Sequence, residues 1–545
     1  MGQYHEKETT APRPVTSKLS DERRTRREFL GTVARGAIAA GAGVGLGAYG
    51  WPGTAWAQAR SRSGHKEAGP KRGGTLNVGL TGGASSDTLN PLNPLLNIDF
   101  ARVNQLFEPL IAFTPEAGYQ LWLAEEVTPN RDATSWTIRV RDGITFHNGK
   151  TLSADDVIYT FQQIRNPKNV YGGASQITSL DIAGIKRLDS RTVSIPCSTP
   201  FSTFDQVLPC YYFPIVPVGF DEKKPVGTGP FVYKSFTPGV SSEFVRNKNY
   251  WVRDMPYLDR VVISDYSDEV SQLDSLQSGA ADAIGLLSAV SVATARSSGQ
   301  VVISKGGGWT PFTMRVDQPP FNDVRVRQAM RYAIDRKQML ELVFEGYGTV
   351  GNDLFAIWDP SYDHALPQRP YDPERAKSLL KAAGRSDLST VLVTSSIAQG
   401  TVNAAEVLAQ QVKRAGISVT LQRVTPTTFY GPNYLKWTFA QDYWYYNPYV
   451  PQVGSATVPS APTNETHFDD PRYNRLYAQA LATVDLAKRT EIIHEMQTIE
   501  YDSGGYIIPY FPPVIDAYGK NVRGAQSSKI GVPMNNYDLK QLWFD

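Results

Sequence analysis

The chain has 545 residues, 41% hydrophobic and 20% charged, with 55 Lys and Arg against 53 Asp and Glu for a net charge of +2. Eight of the basic and five of the acidic residues fall within the first 59, so the remainder carries a net charge of −1. A balance this neutral leaves no electrostatic footprint for nucleic acid, and the length beyond residue 59 suits two or three domains.

The N-terminus reads as a targeting segment. A polar lead ends in Arg23-Arg24-Thr25-Arg26-Arg27-Glu28-Phe29-Leu30, and a Gly/Ala-rich apolar stretch follows from Gly31 to Gly50. Trp51 to Ala59 then supplies small-x-small sites, with cleavage expected near Ala57 or Ala59. The run Thr25–Leu30 resembles the twin-arginine export motif. The stretch is a poor membrane span, because Arg35 interrupts it and glycine dilutes it. Gly45-Leu46-Gly47-Ala48-Tyr49-Gly50 fits GxGxxG. A dinucleotide site needs a strand before that motif and a helix after it. Arg35 and Pro52 deny both, so no nicotinamide or flavin site is expected. No later stretch is apolar enough to span a membrane.

Residues 60–72 form a polar linker without periodicity. Thr75–Leu80 alternates as a strand, and a helix is expected near Ala101–Phe107. Ser135–Val140 alternates polar and apolar residues before an Asp142-Gly143 turn. Ser153 caps a helix Val157–Ile164 whose first turn is acidic. Thr192–Ile195 is a further strand. From Gly227 longer helices alternate with strands. Val270–Ser278 is helical and stopped by Gly279, and Val301–Ser304 is a strand. Helices follow at Asp323–Tyr332, Lys337–Phe344 and Pro373–Ala383. Strand Thr390–Thr394, helix Asn403–Ala415 and strand Ser418–Arg423 make a βαβ unit. Cys197 and Cys210 are the two cysteines. An exported location permits a disulfide between them, and two buried thiols fit the spacing equally well.

Five segments taken in order resemble one family. They are GGTLNVGL…DTLNPL (73–92), WTIRVRDGITFHNGKTLSADDVIYTF (136–161), GTGPFVYKSF…RNKNYW (227–251), PPFNDVRVRQAMRYAIDRKQML (319–340) and YDPERAKSLLKAAG (371–384). PYFPPVIDAYGKNVRG (509–524) also fits. On these the chain resembles the peptide/nickel/opine class of extracytoplasmic solute-binding proteins, of the dipeptide- and oligopeptide-binding type. The motifs themselves are structural, and the arginines of RVRQAMRYAIDR are expected on a solvated or salt-bridged helix face. The resemblance implies a two-lobed α/β periplasmic-binding-protein fold with a strand-rich domain inserted in the first lobe. The first lobe would take 73–111, 221–308 and 509–545, the insert 112–220, and the second lobe 309–508. It also implies a ligand held between the lobes by hinge closure, an ABC permease of the inner membrane as partner, and a monomer in the periplasm. Export would pass through the twin-arginine translocase. No cofactor, metal site or nucleic-acid partner is implied.

Within that frame the segment Trp437 to Tyr449 has the most unusual composition. The resemblance places an aspartate that pairs with a ligand ammonium at Asp442; a turn-capping carboxylate is the alternative. Tyr443, Trp444, Tyr445 and Tyr446 would supply stacking walls or lobe core. Strand alternation sends Tyr443 and Tyr445 to the side opposite Trp444 and Tyr446. Arg315 stands where the family often has Asn, and it would clamp a ligand carboxylate or lock the hinge by a salt bridge. Trp309 and Ser85 complete the candidate contacts. Dipeptide binders carry an arginine after the strand matching 390–394, whereas Thr394 to Gly400 holds no charge, which disfavours a free dipeptide. A peptide is the leading ligand class, and an oligosaccharide, opine or other small conjugate the alternative. An exported chaperone or enzyme ranks below both. The six histidines are scattered, His494-Glu495 lacks a second histidine four residues on, and no GxSxG occurs.

Overall fold

Apolar residues alternate in the first strand, Thr75–Thr81, so that Leu76, Val78 and Leu80 are buried. A computed structural model describes residues 69–545 apart from 95, 170, 210 and 211. In it this strand runs parallel to Arg260–Tyr266 on one side and to Ala283–Ile284 on the other. They are central to a seven-stranded sheet. Its order is Gly299–Ser304, Val514–Gly519, Ala283–Ile284, Thr75–Thr81, Arg260–Tyr266, Ser241–Arg246 and Phe231–Thr237. The helix after the first strand spans Asn97–Leu106 and starts earlier than its apolar pattern predicts. The added first turn carries Asp99, which is fully buried and accepts the Leu96 and Thr88 N–H groups at 3.0 Å each. A polar residue that faces inward is invisible to hydrophobic periodicity.

A four-stranded sheet follows in the order Ala124–Pro129, Ser135–Val140, Thr192–Pro196 and Lys186–Arg187. Trp136, Ile138 and Val140 face inward as alternation requires. The adjoining helix, Ala154–Ile164, opens on Ser153, whose N–H and hydroxyl both donate to Asp156. One hydrophobic core runs without a break from the seven-stranded sheet through this smaller one, joining Leu76 and Val261 to Ile138 and Phe204. These two sheets are the first lobe.

The second lobe is built on a five-stranded sheet, in the order Ser418–Arg423, Ser389–Thr394, Phe439–Gln441, Phe312–Met314 and Tyr506–Ile507. The βαβ unit is present, with helix Thr401–Gln411 between parallel strands Ser389–Thr394 and Ser418–Arg423. Aspartates open helices repeatedly. Asp323, Asp335, Asp372, Asp470 and Asp485 each accept a first-turn N–H with the side chain. The chain crosses between lobes after Ser304 and returns before Val514.

Two features depart from expectation. In helix Val324–Tyr332, Arg325 is exposed and paired with Asp323, but Arg327 and Arg331 are buried. Arg327 donates to Phe321 O and Ser503 O at 2.6 Å, and Arg331 donates to Gly504 O at 2.7 Å and Tyr506 O at 2.8 Å. They face the C-terminal end of helix Leu486–Ser503, where carbonyls lack intrahelical partners. Near the chain end, Met534, Asn535, Asn536 and Tyr537 all have positive φ, at 52, 57, 62 and 57°. Such a left-handed run costs about 1–2 kcal/mol per residue. It is held by Asn104 on Asn536 O, Gln105 on Tyr537 O and the Met534 N–H on Asp516.

Candidate functional site

Strand Phe439–Gln441 lies in the middle of the second sheet, and Gln441 is fixed by Thr394 at 2.7 Å and Thr401 O at 2.9 Å. Beyond it the chain stays extended against the first crossing segment. Trp309 and Trp444 exchange N–H···O bonds of 2.8 Å in both directions, and the Asp442 N–H reaches Pro311 O. The period of two therefore continues past the strand. Asp442, Trp444 and Tyr446 are buried, while Tyr443 and Tyr445 are half-buried on the other side, with ring centroids 5.8 Å apart at 75°.

The inward set divides. Trp444 stacks on Trp309, which also stacks on Phe355 and meets the edge of Tyr506. Trp309 and Trp444 are thus core of the second lobe. Tyr446 reaches the first lobe's core and lies on Gly307, where a Cβ would come within 2.6 Å of its ring. Tyr445 also crosses, donating its hydroxyl to Asn97 at 2.8 Å.

Asp442 sits beneath two tyrosines. Tyr430 donates to one carboxylate oxygen at 2.7 Å and Tyr434 to the other at 2.8 Å, and the Tyr443 N–H donates at 2.8 Å. Glu465 is its neighbour, taking Trp444 Nε1–H at 3.1 Å and sharing Tyr434. Among the described residues neither acid forms a salt bridge, and Glu465 Oε2 is buried without a hydrogen-bond donor. Burial raises both carboxyls, and the Asp442 charge lifts Glu465 well above the ordinary range. The two acids share the Tyr434 hydroxyl, and the second to ionise meets the charge of the first.

Arg315 takes a role outside both expectations. It is buried, with Nε and Nη2 on Asp317 at 2.7 and 2.6 Å and Nη1 on Leu435 O. His467 binds the same Leu435 carbonyl. The arginine ties a loop within the second lobe, and its fork is filled by a residue two positions away. Its hydrogen bonding with Asp317 keeps that carboxyl below the usual range. Ser85 is exposed beside the turn at Gly239 in the first lobe and does not join the second-lobe group. The Cys197–Cys210 pairing falls on Cys210, outside the described residues. Cys197 is half-buried as a thiol, pushed up to about 11 by burial.

Tyr430, Tyr434, Glu465 and Asn97 were not apparent from sequence. Tyr430 and Tyr434 are four apart in a polar stretch, a spacing that marks one face of a helical turn. Nothing local marks Glu465, which the bond from Val316 N–H to Thr466 O brings to the site. Among the described residues no cluster of three His, Cys, Asp or Glu is placed to hold a metal ion, and no helix is long and apolar enough to cross a membrane.

The model of bacterial extracellular solute-binding proteins, family 5 (middle), matches residues 118–465. The chain belongs to this family. Among curated relatives, heme-binding protein A of Haemophilus influenzae is 29% identical over 316 residues, 52% of this chain and 57% of that protein. The glutathione-binding protein GsiB of Escherichia coli is 25% identical over 478 residues, 82% of this chain and 91% of the relative. Among solved structures, the ABC transporter substrate binding protein CtaP of Listeria monocytogenes superposes with a TM-score of 0.78 at 20% identity, covering 87% of this chain and all of that one. This establishes the two-lobed periplasmic-binding-protein fold. Family and fold are those of extracytoplasmic binding proteins.

Proposed function

We propose that this protein captures a peptide between its lobes and delivers it to an ABC permease of the inner membrane. The observation that carries the peptide reading is the Asp442–Glu465 pair, two buried carboxyls that share Tyr434 and form no salt bridge among the described residues, at the root of the aromatic segment that spans the lobes. A ligand ammonium supplies this pair with a cation. A buried acid gains most from such a partner, since an uncompensated one costs several kcal/mol. The likeness to GsiB supports the same class, because glutathione is a tripeptide with a free α-amino group. The uncharged stretch Thr394–Gly400 favours a ligand longer than a dipeptide.

On this reading residues 73–111, 221–308 and 509–545 form the first lobe, 112–220 its insert and 309–508 the second. The leader directs twin-arginine export, cleavage near Ala57 or Ala59 frees a periplasmic monomer, and the protein binds without catalysing. A second reading, a ring-bearing small conjugate, draws on the half-buried pair Tyr443 and Tyr445 and on heme-binding protein A.

A thermal-shift panel decides between them. Ligand at a hundred times Kd stabilises by about 2.7 kcal/mol. Glutathione and tri- to pentapeptides should raise Tm, N-acetylated peptides should not, and Asp442→Asn should abolish the difference. Shifts from haem or cello-oligosaccharides with none from any peptide would replace the first reading by the second.

A further inference from the structure

The four-stranded sheet shares its core with the seven-stranded sheet, so the first lobe moves as one body. Its contact with the second lobe has a different character. Past strand Thr192–Pro196 the chain reaches Ser202, which is buried against helices Pro471–Ala482 and Leu486–Ser503. The Ser202 N–H donates to Leu481 O at 2.8 Å and its hydroxyl donates to Ala480 O at 2.9 Å. In return Arg489, also buried, donates to Ser202 O and to Ser202 Oγ, each at 3.1 Å, while binding Thr483 O within its own lobe. Three residues on lies Asp205, half-buried, with one carboxylate oxygen enclosed. Tyr119 donates to one of its oxygens at 2.9 Å, and the other has no hydrogen-bond partner. Burial raises this carboxyl and the Arg489 charge opposes the rise.

Two properties make this seam reversible. It is held mainly by hydrogen bonds to main-chain carbonyls at the end of one helix, with the partly buried Leu481 packed against the first lobe's core beside them. Its groups are ones that water satisfies well, so separating them costs little more than the bonds themselves. It also lies apart from the two crossing segments at 305–311 and 508–513. Rotation about those segments leaves both lobes' sheets intact but must part Ser202 from Ala480, Leu481 and Arg489. Tyr445 on Asn97 is a second contact that the same rotation breaks.

We infer that Ser202 and Arg489 form a latch through which the inserted sheet holds the two lobes closed, so that the insert is a working part of closure. Every bond of the latch lies within the chain, so it biases the protein toward the closed arrangement with no ligand added. A ligand then spends less of its affinity on closing the lobes.

Small-angle scattering on the ligand-free chain, with hydrogen exchange on the same samples, tests this. Arg489→Ala should enlarge the radius of gyration and speed exchange of the amides in 198–206, while amides of strand Ser135–Val140 stay protected. Ser202→Ala, which keeps the main-chain bonds, should do the same to a smaller degree and guards against misfolding of the first variant. An unchanged radius in both variants, with or without faster local exchange, would overturn the inference. So would loss of protection throughout 135–140, which would make Arg489 a folding residue. The test needs no ligand, so it stands or falls separately from the peptide reading.

Discussion

Each lobe buries a charged hub, and the two are inverted. In the first, a single guanidinium, Arg102, faces three carboxylates, Asp87 at 2.7 Å, Asp265 at 2.9 Å and Asp99 at 3.4 Å. In the second, a single carboxylate, Asp353, faces three guanidiniums, Arg336 at 2.6 Å, Arg369 at 2.8 Å and Arg331 at 3.9 Å. The excess charge is handled differently because the groups titrate differently. Surplus acid can be discharged by taking up a proton as pH falls, and Asp265 is pushed up to about 6 by burial and by Asp87, against Arg102. Surplus guanidinium cannot shed its proton near neutral pH. It needs acceptors, and the second lobe supplies carbonyls. Arg331 binds Tyr501, Gly504 and Tyr506, and Arg369 binds Tyr501.

The largest way to break the comparison is Asp353→Ala, which strands three buried cations. Burial alone would raise Asp353, yet the three guanidiniums hold it below the usual range. A loss of about 3–5 kcal/mol is expected, read as a fall in the urea midpoint. An effect under 1 kcal/mol would mean that the carbonyls suffice without the acid.

Next is Glu500, near Arg331 and bound by Tyr449 and Tyr473, whose carboxyl burial lifts to about 7 from 4.5. The folded state then holds a proton that the unfolded state has released. The contribution is complete below about pH 4.5 and lost as pH rises toward 7, about 3 kcal/mol over that window. Glu500→Gln should flatten that part of the stability–pH curve, measured by denaturation at pH 5 and pH 7.5. A curve parallel to the parent's would place the titration elsewhere.

Asp265→Asn should be mildest, about 1 kcal/mol or less at pH 7, because two other acids still serve Arg102. The raised carboxyl makes its contribution present below 3.8 and lost toward about 6. The variant should therefore cost most in acid and least at neutral pH. The reverse order would show that Asp265 stays charged in the fold.

These hubs also mark how far the sequence could be read. Strands with clean alternation, such as Ser135–Val140, and helices opened by Asp or Ser were plain, because each side chain's environment is set by its neighbours along the chain. Arg327 and Arg331 misled, since nothing local says that a distant helix end will offer them carbonyls. The site divided in the same way. Alternation separated Tyr443 and Tyr445 from Trp444 and Tyr446, but which lobe each ring would enter depended on Gly307 and Asn97, which lie far away in the chain. Glu465 became Asp442's neighbour only through tertiary contact.

The seven-stranded sheet sets an order on synthesis. Strand Val514–Gly519 pairs with Gly299–Ser304 on one side and Ala283–Ile284 on the other. Until the last tenth of the chain has been made, those strands have no partner between them and an open edge awaits. The entire second lobe can be finished while the first is still missing a strand. A nascent or prematurely ended chain would thus expose the first lobe's interior, and that half of the molecule is where early misassembly should begin.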